Sequence, residues 1–177
     1  YGNNTTYTVA NIYAGQSPKS LNYYLDNNTF SANIFSSIFD SLLNTNSITA
    51  AYSPGIAEKW AITDDGKTFV FKIDKKARWS DGKPITAEDI KFTFQTIIDP
   101  KNMTGIHKVG LENFETPELI DTYTIKFSAK EKHWKNLLEL ADLIILPAHN
   151  MTGKDFNKIN FEFPVVSGPY KIKKITE

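Results

Sequence analysis

The side chains of this 177-residue chain best suited to metal or acid–base chemistry are its three histidines, His107, His133 and His149. They lie far apart and fit neither an HExxH helix nor an i, i+4 ligand pair, so their spacing predicts surface or loop positions rather than a metal centre. Cysteine is absent, which removes disulfides, thiol nucleophiles and thiolate ligands together. Ser17, Ser80 and Ser167 sit in loops or turns whose neighbours do not make the GxSxG elbow of a serine nucleophile. Gly66-Lys67-Thr68 imitates the tail of a phosphate-binding loop, but Ala61 stands where the glycine five residues earlier belongs, and the triplet reads as a hairpin turn. Glu88 and Asp89 are adjacent acids that point in different directions on a helix. A place in the first turn, where the helix dipole favours carboxylates, accounts for both. Five Asn-x-Ser/Thr matches, Asn27-Asn28-Thr29 and Asn150-Met151-Thr152 among them, follow from an Asn- and Thr-rich composition. The sequence thus predicts no catalytic residue, no metal site and no cofactor.

Composition bounds the scaffold. A chain of this length can bury one core of ordinary size, or two small ones sharing a sheet. Twenty basic and twenty acidic residues cancel, leaving no basic stripe for nucleic acid and no polybasic segment for an anionic membrane. No window approaches the roughly 18 apolar residues of a membrane span, and Tyr1-Gly2-Asn3-Asn4 opens the chain without an apolar signal region.

Local patterns predict a mixed fold. Asp65-Gly66 lies between Trp60-Ala61-Ile62 and Phe69-Val70-Phe71-Lys72-Ile73, which predicts a hairpin with strands near 59–63 and 68–73. Phe69, Phe71 and Ile73 alternate with Val70 and Lys72, so one face of the second strand covers a core. A turn follows at Ser80-Asp81-Gly82-Lys83, then a helix over 87–98 with Thr86 as N-cap, Ile90, Phe94, Ile97 and Ile98 at helical spacing, and a stop at Asp99-Pro100. Thr29 to Leu43 reads as another helix, with Ile34, Phe35, Ile38, Phe39, Leu42 and Leu43 on one broad stripe. Tyr7 to Tyr13 and Tyr123 to Ser128 read as strands, Gly105 to Pro117 as loop plus one short strand, and Trp134, Leu137, Leu138 and Ala141 as part of a helix of about ten residues.

Taken in order, Pro54-Gly55-Ile56-Ala57-Glu58-Lys59-Trp60, Asp64-Asp65-Gly66-Lys67-Thr68-Phe69 and Trp79-Ser80-Asp81-Gly82-Lys83-Pro84-Ile85-Thr86-Ala87-Glu88-Asp89-Ile90 resemble one family. It is the family of solute-binding proteins, family 5 (cluster C), that carries oligopeptides, dipeptides and nickel chelates to ABC importers. Leu143-Ile144-Ile145-Leu146-Pro147 with His149, and Pro164 through Gly168-Pro169-Tyr170, extend the resemblance. The family's Ser-Leu-Asp-Pro loop is matched at Ser20-Leu21, but Asn22-Tyr23 replaces Asp-Pro.

The resemblance implies an α/β periplasmic-binding-protein type II-like fold, of which this chain is the amino-terminal part of the first lobe. Residues 1–22 would be the first strand and loop of the main lobe, 23–163 a small inserted subdomain, and 164–177 the strand returning to the main lobe. Tyr7–Tyr13 and Tyr170–Ile175 would then share one sheet. It also implies a peptide ligand held between two lobes, ABC permease subunits as partners, an extracytoplasmic location, and contact with the membrane only through a lipid anchor outside the chain. Ligand-facing candidates are Gln16, Ser17, Pro18 and Lys19, whose backbone could pair with an extended peptide, and Ile106 and His107 on the rim over the cleft. A nickel chelate as ligand, a surface lipoprotein module with a protein partner, and a hydrolase are the alternatives.

Overall fold

The computed structural model describes residues 18–26, 28–63, 65–159, 162 and 164–172. Helix α1 spans Thr29–Ile38, shorter than the predicted Thr29 to Leu43. Ser36 and Ser37 turn their hydroxyls back onto Asn33 O (3.0 and 3.1 Å), a competition that weakens a helix interior. Beyond Phe39 tertiary partners take the backbone: Asp40 N donates to Ser167 Oγ (2.9 Å) and Leu42 N to Leu143 O (3.1 Å). Leu42 and Leu43 are still fully buried. Leu43, however, opens strand β1 (Leu43–Thr45), paired antiparallel with β2 (Tyr52–Pro54).

The hairpin forms as predicted, with β3 at Ala57–Ile62 and β4 at Thr68–Ile73. Gly66 takes φ +68° in the turn, and Asp65 Oδ1 accepts from Lys67 N (2.9 Å). Phe69, Phe71 and Ile73 are buried, as their alternation requires. Helix α2 occupies Ala87–Ile98, capped by Thr86, whose N–H donates to Asp89 Oδ2 (2.9 Å). At its other end Asn102 Nδ2 and Thr104 Oγ1 donate to Thr96 O (2.8 Å) and Ile97 O (2.7 Å), satisfying two last-turn carbonyls.

The stretch read as loop and short strand contains instead a helix, α3 (Ile106–Leu111). Only Leu111 of α3 is buried, so the segment offered no apolar period to read; the strand reduces to a single bridge between Phe114 and Ala129. Strands β5 (Glu118–Asp121) and β6 (Thr124–Ser128) complete an antiparallel sheet of order β3-β4-β6-β5 among the described residues. Helix α2 covers one face of it. Phe94 and Phe71 each meet the Phe127 ring edge-on at 6.0 Å, and burial of each such side chain contributes about 1.5–3 kcal/mol.

Helix α4 (Asn136–Ala141) is shorter than the ten residues expected, because Trp134 lies exposed before it and stacks on His133. The apolar run that follows is stapled to α2 by polar bonds: Leu146 N donates to Thr93 Oγ1 (2.8 Å), and Ala148 N, opening α5 (Ala148–Met151), donates to Asp89 Oδ1 (3.0 Å). Trp79 Nε1 approaches the same carboxylate at 3.4 Å.

Segment 164–168 then clasps two distant places. Ser80 N donates to Val166 O, and Gly168 N donates to Ile38 O, both at 2.8 Å. A Cβ on Gly168 would lie 2.7 Å from Ile38 C and 2.8 Å from Ile38 O, so this approach admits only glycine. Val166 closes a second, smaller apolar cluster with Phe35, Ile38 and Phe39. The expected strand at Tyr7–Tyr13, and residues 173–175 of the expected returning strand, lie outside the described residues.

Candidate functional site

Gln16 and Ser17 lie outside the described residues. Pro18 and Lys19 open a short loop whose anchor is a buried carboxylate, Asp26. Its Oδ2 accepts from Lys19 N (2.9 Å), Ser20 N (3.3 Å) and Ser31 Oγ (2.6 Å), and its Oδ1 from Asn28 N (2.9 Å). Burial alone raises the Asp26 carboxyl, but the Ser31 hydroxyl and the N–H groups of Asn28, Ser20 and Lys19 outweigh it and hold the group below its ordinary pKa. Within the loop, Leu25 N and Asp26 N both donate to Asn22 O (3.1 and 3.2 Å), making 22–26 one turn.

That turn meets α3. Ile106 is 71% exposed at the start of the helix, and His107 packs against both tyrosines of the turn. Its ring centroid lies 5.5 Å from that of Tyr23, tilted by 45°, and 5.0 Å from that of Tyr24, edge-on. Tyr24 is fixed by its hydroxyl, which donates to Ile144 O (2.6 Å). Glu139 and Asp142, on and just beyond α4, close the far side of a cavity of about 310 Å³ that Tyr23, Tyr24, Ile106 and His107 also line.

Burial sets the protonation here. It pushes the His107 imidazole below its usual pKa, so the ring is neutral at neutral pH. Tyr23 is raised by burial and then by the charge of Asp142; Tyr24 is raised further, by burial first and Tyr23 second. The Asp142 carboxyl is raised by burial, opposed by a hydrogen bond from the Thr45 side chain. Among the described residues no group of three or more histidine, cysteine or carboxylate side chains could hold a metal ion. What the cavity offers is recognition: aromatic edges and faces beside carboxylate acceptors.

The structure thus brings Ile106 and His107 to one cavity; Pro18 and Lys19 lie in the loop before the 22–26 turn and do not line it. Tyr23, Tyr24, Glu139 and Asp142 were missed in the sequence. The replacement of Asp-Pro by Asn22-Tyr23 was the available signal, since it introduces a ring where the family pattern has proline. Of the other histidines, His149 bonds Asp81 (2.7 Å) at the Trp-Ser-Asp-Gly turn, while His133 is exposed.

Comparison with known proteins agrees with the fold. The oligopeptide-binding protein AliB of Streptococcus pneumoniae is 28% identical over 200 residues, covering 98% of this chain and 30% of AliB. The oligopeptide-binding protein AppA of Bacillus subtilis, solved with a nonapeptide, shares the fold at a TM-score of 0.80 and 24% identity, over 90% of this chain and 32% of AppA. NikZ from Campylobacter jejuni, solved with Ni(L-His), matches at a TM-score of 0.71 and 25% identity, over 80% of this chain and 28% of NikZ. The chain spans 30% of the length of AliB. Residues 51–177 match the model described as bacterial extracellular solute-binding proteins, family 5 Middle, and the chain belongs to that family.

Proposed function

We propose that the full-length protein containing this chain is the solute-binding component of an ABC importer, holding an oligopeptide or dipeptide between two lobes and delivering it to permease subunits. The observation that carries this reading is the similarity to a named oligopeptide-binding protein along 98% of the chain. It acts outside the cytoplasmic membrane, held there by a lipid anchor beyond the chain. Segments 1–22 and 164–177 belong to the main lobe and 23–163 to the small subdomain. Gln16, Ser17, Pro18 and Lys19 offer backbone to the ligand, and Ile106 and His107 form the rim over it.

The test is to load the full-length protein with a mixed peptide pool and identify by mass spectrometry what it retains. Retained peptides of defined length support the reading. The 177-residue chain alone, with one wall of the cleft, is expected to bind the same peptides weakly or not at all; micromolar binding, about −8 kcal/mol, would place the whole site within it. Similarity to NikZ favours a second reading, a nickel chelate, and a parallel titration with nickel and L-histidine decides between the two. Retention of neither peptide nor chelate would turn attention to a protein partner.

A further inference from the structure

We propose that the cavity between the 22–26 turn, α3 and α4 receives a positively charged ligand side chain, an alkylammonium or guanidinium group, and so biases the protein toward basic peptides. This rests on the solute-binding reading above and names the part of the ligand that the small subdomain selects.

The cavity is sized for a side chain and several waters, at about 310 Å³ against roughly 30 Å³ per water molecule. Its charge is one-sided. Glu139 and Asp142 both line it, and among the described residues no lysine or arginine does. Neither acid takes part in any ion pair found among the described residues, and Lys108, the lysine of α3, is paired with Glu112 (3.8 Å) instead. His107 adds no compensating charge at neutral pH, because burial keeps its pKa low. Glu139 is half-buried and Asp142 exposed beside it, and a partly buried carboxylate outside any ion pair favours a cationic partner.

The remaining walls suit an organic cation rather than a bare metal. Tyr23, Tyr24 and His107 form an aromatic corner with centroids 5.0–5.5 Å apart, and aromatic faces attract ammonium and guanidinium groups. No three-ligand group of metal-binding side chains assembles among the described residues. Exposed Ile106 at the lip leaves the entrance open to a side chain arriving from outside. Tyr23 occupies the position where the resembling pattern has proline, so this aromatic wall belongs to the present chain rather than to the family pattern.

The experiment is calorimetry on the full-length protein with matched peptides differing at one position, lysine against norleucine and arginine against citrulline, with that position scanned along the peptide. At one position the basic member is expected to bind about tenfold tighter in the wild type, and this preference falls to about one in the Glu139→Gln/Asp142→Asn double variant. Tyr23→Phe retains the preference and Tyr23→Ala reduces it. Equal binding of basic and neutral mates at every position, or a preference unchanged in the double variant, overturns the inference and leaves the peptide-binding reading standing. If no peptide binds at all, that reading fails, and an NMR titration with methylguanidinium decides the cavity separately. Shifts at Tyr23 and His107 that vanish in the double variant support it, and absence of shifts in the wild type overturns it.

Discussion

Replacing Asp89 by asparagine keeps the side chain's shape and removes its charge, which isolates what this buried carboxylate does. Its two oxygens accept from Thr86 N (2.9 Å), Thr86 Oγ1 (3.3 Å) and Ala148 N (3.0 Å), with Trp79 Nε1 at 3.4 Å. An amide presents one oxygen, so either the Thr86 or the Ala148 N–H must face an NH2 group. Losing one hydrogen bond to a charged group costs about 1.5–3 kcal/mol. The expected loss is therefore about 2 kcal/mol, or a fall of about 4–8 °C in Tm for a domain of this size. Urea unfolding followed by tryptophan fluorescence measures it, with Glu88→Gln as the control: the neighbouring acid is exposed and its change should stay within about 0.5 kcal/mol. If Asp89→Asn unfolds at the same urea concentration as Glu88→Gln, the carboxylate is not the tie described above.

Three further outcomes follow from backbone geometry and charge. Gly168→Ala should destabilise by about 2–4 kcal/mol, from overpacking against the Ile38 backbone and a weakened bond to Ile38 O; an unchanged melting temperature would show that the 164–168 clasp contributes nothing. Gly66→Val and Gly82→Val, at φ +68° and +89°, should each cost about 1–3 kcal/mol, and two unchanged melting temperatures would refute the turn argument. Because the folded pKa of Asp26 is depressed, its contribution is fully present above the unfolded value of about 3.9 and is lost as pH falls through the folded value. The stability difference between wild type and Asp26→Asn, followed by urea unfolding from neutral pH downward, should shrink below that point; a constant difference would contradict the assignment.

Segments whose structure follows from local rules were readable in the sequence. The Asp65-Gly66 hairpin and the Thr86-capped α2 carry their own turn, cap and period, and both formed where expected. The end of α1 was not readable. Phe39, Leu42 and Leu43 satisfy a helical stripe as well as a buried strand, and the decision is made by Ser167 and Leu143, more than a hundred residues away in sequence. Helix α3 was hidden for the opposite reason: Ile106 and Val109 are exposed, and a short helix with one buried residue leaves no periodic trace. The same limit applied to the candidate site. Ile106 and His107 were singled out by resemblance, but the partners that make a cavity of them come from the 22–26 turn and from α4, and nothing local in the sequence joins those three pieces.

The clasp formed by segment 164–168 sets a timetable for the chain as it is made. Its bond between Asp40 and Ser167 spans 127 residues, and that between Ser80 and Val166 spans 86. At about 5–20 residues per second of synthesis, Phe35, Ile38 and Phe39 wait about 6–25 s for the valine that covers them. Over that interval a growing chain carries an uncovered apolar patch at the end of α1. The sheet of β3, β4, β6 and β5 needs no residue beyond Ser128 for its own strands, so it can assemble while the patch is still waiting. Nascent-chain aggregation or chaperone capture is therefore expected to centre on residues 35–39, and to end when residue 168 clears the ribosome.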